Sequence, residues 1–373
     1  MAEPVSTHDK RNEQSKQAGR TDQSRETGQT RRKNSPAHRE RFKLNPLILY
    51  IILILFALLS FGIGRFSISP KTVIDILLSH FRQGVPYWEE TLETVVMNVR
   101  LPRILLAILV GGALSVSGAS YQTLFKNPMV SPDILGVSAG AGFGAALAMI
   151  HNAPWWEIQV FALVFGLAAV LAANLIGYAF ARQEITVMIL GGVVVSSLFQ
   201  ALLSIVKTLA DTENALPSIT FWLMGSLGRA TNRDVFVMLP ALGISLLMLF
   251  LFRYQINALS AGEDEATTLG VNVLLVKIVV VAASTLMTVV SVSICGIVGW
   301  VGMVVPHIAR MLVGANYSKL IVTSFVVGAM FLLLIDNIVR GVPGVELPLG
   351  VLTALVGTPI FTVLLSQVRK GWL

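Results

Sequence analysis

Ten predominantly apolar stretches, most near the length a helix needs to cross a bilayer, follow one another from residue 46 almost to the C-terminus. They run over residues 46–66, 99–120, 133–151, 157–180, 185–209, 234–253, 273–294, 297–313, 319–339 and 347–367. A helix of roughly 20 apolar residues bridges the hydrocarbon layer, so this pattern predicts an all-α, polytopic membrane protein of about ten transmembrane helices. Composition agrees, because 13% of the 373 residues are charged and 54% hydrophobic, whereas soluble domains carry about 25% charged residues.

The charge that exists is concentrated at one end. Residues 1–43 hold 11 Lys/Arg and 6 Asp/Glu, and their bulky apolar residues are limited to Met1, Val5 and Phe42. Such a segment buries too little apolar surface to offset its chain entropy, so a disordered basic tail is expected over 1–43, followed by a membrane domain over 44–373. Positive charge beside the first span predicts a cytoplasmic N-terminus. Ten crossings return Arg369 and Lys370 to the same side, so both termini of this multi-pass cytoplasmic-membrane protein are expected inside. Anionic lipid is the expected partner of the tail. Nucleic acid is not, since no folded basic surface accompanies it.

Several chemistries are excluded or unsupported. No Gly-Lys-Ser/Thr occurs, so the chain has no Walker A loop of its own. The single cysteine, Cys295, excludes an internal disulfide and a thiolate metal cluster, and His8, His38, His80, His151 and His307 are scattered. No cofactor is implied and no catalytic residue stands out. Small residues recur instead at helical spacing, as at Gly136, Gly140 and Gly144, or Gly112 and Gly118; such residues let helices approach closely in lipid. The chain therefore reads as one that moves a solute, with energy supplied by a proton, an ion or a partner protein.

Two polar interruptions break the series. Around 260–270, Ser260 and Glu263 form a capping-box pattern and Gly270 is a stop, which predicts a helix of about two turns facing the cytoplasm. Between Thr212 and Arg233, Pro217 opens and Gly225 or Gly228 closes an apolar helix too short to cross. It lines a cavity or lies at the interface; the pattern leaves both open.

Three arginines, Arg100, Arg103 and Arg340, fall at span ends that the count places outside, where basic residues are disfavoured. Pro102 suits the first turn of its helix. Asp336 lies four residues before Arg340, which is ion-pair spacing on a helix. The arginines either pair locally, with Asp336 or Glu93, or meet acidic groups on a partner.

The segments Arg100-Leu-Pro-Arg-Ile-Leu-Leu-Ala107, Gly111-Gly-Ala-Leu-Ser-Val-Ser-Gly118, Phe125-Lys-Asn-Pro128 and Leu135-Gly-Val-Ser-Ala-Gly140 resemble FecCD-type permeases, the BtuC-like subunits of iron-siderophore, haem and cobalamin importers. So do Trp222-Leu-Met-Gly-Ser-Leu227, Leu269-Gly-Val271, Val301-Gly-Met-Val-Val-Pro-His-Ile-Ala-Arg310, Glu346-Leu-Pro-Leu-Gly350 and Gly357-Thr-Pro-Ile-Phe361, in family order. The resemblance implies a type II ABC importer permease that carries an iron-siderophore complex, with haem or cobalamin as alternatives. It implies a second permease subunit, two cytoplasmic ABC ATPase subunits that hydrolyse the ATP, and an extracytoplasmic substrate-binding lipoprotein. By the same resemblance Arg100, Arg103 and Arg340 receive the binding protein, while Ala261, Gly262, Glu263, Asp264, Glu265, Ala266, Thr267, Thr268, Leu269 and Gly270 couple to the ATPase. The fifth span and the half-helix, with Thr186, Ser196, Ser197, Trp222 and Met224, line the translocation path. An ion-coupled secondary transporter is the remaining alternative.

Overall fold

The computed structural model describes residues 46–64, 68–79, 87–181, 185–342 and 347–368. The tail over 1–43 lies outside them, as do Arg369 and Lys370. Every regular element among the described residues is helical: α1 Pro46–Ser60, α2 Pro70–Ser79, α3 Glu90–Leu124, α4 Val137–Ile150, α5 Trp155–Ala181, α6 Ile185–Leu209 and α7 Ala215–Leu223. There follow α8 Asn232–Leu251, α9 Arg253–Ala261, α10 Glu263–Thr268, α11 Val273–Cys295, α12 Val301–Val313, α13 Tyr317–Gly341 and α14 Leu349–Val368.

All ten expected spans are present as helices, but their lengths divide them. α3, α5, α6, α8, α11 and α13 are long and apolar enough to cross a membrane, while α1, α4, α12 and α14 hold shorter apolar helices. The 13 residues of α12 rise about 20 Å. Irregular backbone at Gly296–Trp300 precedes it, and such backbone survives at membrane depth only where protein encloses it.

The core is α3, which is buried on every side from Val110 to Leu124 and packs against α13, α11, α12 and α8. Small residues set these approaches. A methyl group on Gly111 would strike the carbonyl of Gly328 on α13, and one on Gly118 would strike that of Gly302 on α12. Gly140 and Gly144 likewise meet the backbone of Phe165 and Phe161 on α5. Interhelical hydrogen bonds complete the core: Ser117 to Thr288 at 2.8 Å, Ser120 to Tyr317 at 2.7 Å and Tyr121 to Thr285 at 3.0 Å.

Pro102 lies in the first turn of the α-helical stretch Leu101–Leu124, as expected, and a π segment at Val95–Arg100, after which the Leu101 amide bonds to the Val96 carbonyl, carries the helix back to Glu90. One local expectation is corrected: Ser260 does not cap the short helix. It lies inside α9, its hydroxyl donating to the Asn257 carbonyl at 2.6 Å. The N-cap of α10 is Gly262, with the Glu265 carboxylate folded over it. Helix α2 lay outside the expected spans, though Ser69 followed by Pro70 is a start signal, and Ser69 Oγ does accept from the Thr72 amide at 3.1 Å.

Candidate functional site

The long helices hold two functional ends apart. Asp336 is 19 residues beyond Tyr317 on α13, about 28 Å along the axis. The Tyr317 amide donates to Asn257 Oδ1 of α9 at 2.8 Å, so α9 and α10 lie at the end remote from Asp336.

At the Asp336 end, Arg100 is buried and Arg103 and Arg340 are largely so. Asp336 itself is completely enclosed, and Arg103 Nε donates to its Oδ1 at 2.7 Å. Arg340 Nε lies 2.8 Å from Oδ2, close enough for an ion pair but off the hydrogen-bond direction. Arg340 also donates through Nη1 to the carbonyls of Ser60 at 3.1 Å and Ile63 at 3.3 Å, and through Nη2 to Asn337. Asn337 in turn donates to Ser60 Oγ at 2.7 Å. Arg100, 4% exposed, donates to the Phe61 carbonyl. Of the two local partners the sequence offers, Asp336 is the one in contact with Arg103 and Arg340.

At the other end, α10 stands on a narrow footing. Ala266 is buried and Glu263 forms an ion pair with Lys277 of α11 at 2.8 Å. Ala261, Asp264, Glu265, Thr267, Thr268, Leu269 and Gly270 are exposed, Leu269 by 71%. Glu263, Asp264 and Glu265 fill the first turn, where the helix dipole favours negative charge. Gly270, at φ +75°, ends the helix, with its amide bonded to the Thr267 carbonyl and the Val271 amide to that of Ala266.

The half-helix α7 ends at a junction of three broken elements. Gly225 turns the chain at φ +73°; beyond it the Ser226 amide bonds to the Cys295 carbonyl at the end of α11. The amides of Leu349 and Gly350, opening α14, bond to the carbonyls of Gly225 and Met224, each at 2.9 Å. Side chains at Gly225, Gly296 or Gly350 would collide with the facing backbone, so the crossing requires glycine.

A cavity lies on each side of this junction. One, of about 550 Å³ and partly open, is bounded by the α4–α5 turn, α7 and Leu347–Pro348, and Trp222 lines it. The other is an open apolar depression of about 700 Å³ that includes Met224, Trp300 and Leu355. Trp300 holds φ +70°, an uncommon conformation for a bulky residue, and no pattern in the sequence announces it. The residues expected along a path are therefore not gathered together. Trp222 and Met224 serve opposite cavities, Ser196 packs toward Gly136, and Thr186 and Ser197 lie on the exposed side of α6. Among the described residues no three His, Cys, Asp or Glu side chains converge as metal ligands.

The chain matches the model of the FecCD transport family over residues 52–367. It is 37% identical to the molybdate import system permease of Haemophilus influenzae, across 87% of this chain and 97% of that protein. It is 35% identical to an iron chelatin transport system permease of Helicobacter pylori, across 87% and 96% respectively. A solved structure described as a metal-chelate type ABC transporter in an inward-facing conformation superposes with a TM-score of 0.75 at 36% identity, covering 86% of this chain and 98% of that one.

Proposed function

The chain belongs to the FecCD transport family and is the permease subunit of a binding-protein-dependent ABC importer, a multi-pass membrane protein that is not itself catalytic; from that premise we propose that it carries an iron-siderophore complex. The observation that carries the mechanistic part is helix α10, an acidic, exposed element ending in the bare side chain of Leu269 and fastened to the bundle by Ala266 and one ion pair. A large exposed apolar side chain beside a charged patch suits a partner surface. In this reading two ATPase subunits in the cytoplasm hold α10 in a groove and move it as they close on ATP. A second permease subunit completes the path, and both termini are cytoplasmic.

At the opposite end, Arg100, Arg103 and Arg340 receive an extracytoplasmic binding protein. Their burial changes how. Guanidinium groups already turned toward Asp336 and backbone carbonyls act on the partner chiefly through long-range charge rather than direct contact, which speeds encounter and is screened by salt. Solute passes without being coordinated by metal ligands, which fits a cargo that arrives already chelated.

The relative from Helicobacter is named for an iron chelate and supports iron-siderophore cargo. The relative from Haemophilus, 37% identical, favours molybdate as the second reading. Haem and cobalamin remain cargoes of the same family resemblance. The test is uptake by proteoliposomes holding the permease with its ATPase and binding protein, using ⁵⁵Fe-siderophore and ⁹⁹Mo-molybdate in parallel. ATP-dependent accumulation of iron supports the proposal, and accumulation of molybdate alone replaces its cargo. Uptake driven by an ion gradient in the absence of the ATPase would overturn it.

A further inference from the structure

A displacement of α10 reaches the transmembrane helices only through the joints that fasten it. Ala266 is its one buried side chain. Its ion pair joins Lys277 to a Glu263 side chain that is 44% exposed, and pairs of that kind hold their geometry loosely. Helix α9, which precedes α10 across Gly262, is more firmly attached. Ile256 and Leu259 of α9 are buried, and such apolar contact is non-directional, so it seats the helix without fixing its register. Asn257 supplies the directional bond. Its Oδ1 accepts from the Tyr317 amide at 2.8 Å, across 60 positions of the chain. That amide is one of the orphan donors at the start of α13, and the N-cap residue Asn316 uses its own side chain on the Ser318 amide at 3.1 Å. Helix α13 is therefore capped in part by a residue of α9.

Tyr317 carries the connection onward. It is completely buried, and its hydroxyl meets Ser120 Oγ of α3 at 2.7 Å. Ser120 has one proton and directs it to the Val116 carbonyl at 2.7 Å, so Tyr317 donates and Ser120 accepts. One residue thus grips α9 through its amide and α3 through its phenol. About 28 Å further along α13, Asp336 accepts from Arg103 of α3 at 2.7 Å. Between these two bonds, Gly328 and Gly111 approach so closely that neither admits a methyl group. Helices α3 and α13 are pinned to each other at both ends and packed backbone to backbone between them. A push on the start of α13 is delivered to both, because rigid elements joined by hydrogen bonds and close packing are what carry coupling between distant sites.

We propose that Asn257 is a positioning residue for transport, which passes the displacement of α9 and α10 to the paired helices α3 and α13, so that closure of the ATPase on ATP moves the end of the bundle bearing Arg100, Arg103 and Arg340. The inference rests on the reading of α10 as the ATPase contact and adds the joint through which that contact acts. The working group is the side-chain oxygen. Asp at this position presents an equivalent acceptor, with a charge that suits a helix N-terminus, whereas Leu has similar bulk and no acceptor.

The test measures solute uptake and ATP hydrolysis in the same proteoliposomes, which hold permease, ATPase and binding protein, with ⁵⁵Fe-siderophore, ⁹⁹Mo-molybdate, haem and cobalamin as probes. In Asn257→Leu, ATPase co-purification and ATP hydrolysis should persist while solute moved per ATP falls about fivefold, the factor that corresponds to one lost hydrogen bond. Asn257→Asp should keep at least about half of the wild-type ratio. Asn316→Ala removes a cap from the same helix without touching α9 and should leave the ratio unchanged. A purely structural role for Asn257 would instead lower the thermal midpoint, hydrolysis and uptake together and leave the ratio alone. If Asn257→Leu does not assemble, Asn257→Ala, which only shortens a half-buried side chain, is read in the same way. A wild-type ratio in these variants, or an equal fall in Asn257→Asp or in Asn316→Ala, would overturn the proposal while ATP-driven uptake by the wild type leaves the permease reading intact. Absence of ATP-driven uptake of every probe by the wild-type assembly would overturn both.

Discussion

Replacing Asp336 by Asn tests whether the arginine cluster is held together by the Asp336 carboxylate. Asp336 has no exposed surface, and its two oxygens lie 2.7 and 2.8 Å from Arg103 and Arg340, whose side chains are 11% and 8% exposed. With charge centres about 4 Å apart and an effective dielectric near 20, each attraction is about 4 kcal/mol. Desolvation of the ions offsets much of that in the intact cluster. Removing only the anion keeps the cost of burying the cations and adds their mutual repulsion, so the loss should be about 3 to 5 kcal/mol. At about 2 °C per kcal/mol for a chain of this size, the thermal midpoint falls by about 8 °C. The assay is thermal unfolding in detergent at a fixed scan rate. The comparator is Lys277→Met, which breaks the ion pair to the 44%-exposed Glu263 and should cost under about 1 kcal/mol. Adding Arg340→Met to Asp336→Asn should recover part of the loss, because one unpaired cation leaves with it. An Asp336→Asn midpoint no lower than that of Lys277→Met would refute the reasoning.

Gly118→Ala should destabilise the bundle by at least about 2 kcal/mol, because its methyl group strikes the Gly302 carbonyl, while Gly243→Ala, with open space around it, should be neutral or better; thermal midpoints decide. Leu269→Asp should reduce co-purification of the ATPase and uncouple ATP hydrolysis from uptake, leaving the thermal midpoint within about 1 °C because the side chain is 71% exposed. Arg100→Gln should weaken docking of the binding protein several-fold at low ionic strength, with the difference shrinking above about 0.3 M salt as the field is screened; an effect independent of salt would point to packing instead.

Much of the membrane architecture is legible because apolar run length is a physical requirement, and all ten runs fold as helices. What the runs do not encode is how deep each helix reaches. α12 is short because irregular backbone at Gly296–Trp300 takes up part of the path, and that backbone packs at Ile297 against Gly225 and Gly350, residues distant in sequence. Boundary errors have the same origin. Ser260 carries the local signature of a cap, but α9 extends through it, and Gly262 forms the break between the two helices. Pro102 does mark the first turn of the α-helical stretch Leu101–Leu124, but the π segment that continues the helix back to Glu90 has no signal in residue type.

The charged end shows how far a misplaced-charge argument reaches. Arg100, Arg103 and Arg340 are conspicuous in sequence because basic residues are disfavoured on that side of the span count. The i,i+4 spacing from Asp336 to Arg340 identifies one internal partner. The contact of that same carboxylate with Arg103 spans 233 positions of the chain, which no spacing rule reports. Long-range attraction of an acidic partner depends on the summed charge near the surface rather than on the exposure of any one side chain. A role in meeting an acidic partner therefore does not require the side chains to be exposed. It requires only that the local charge act at the surface, a charge that Asp336→Asn makes more positive by one and Arg100→Gln less positive by one, so the two substitutions should shift the association rate of the binding protein in opposite directions.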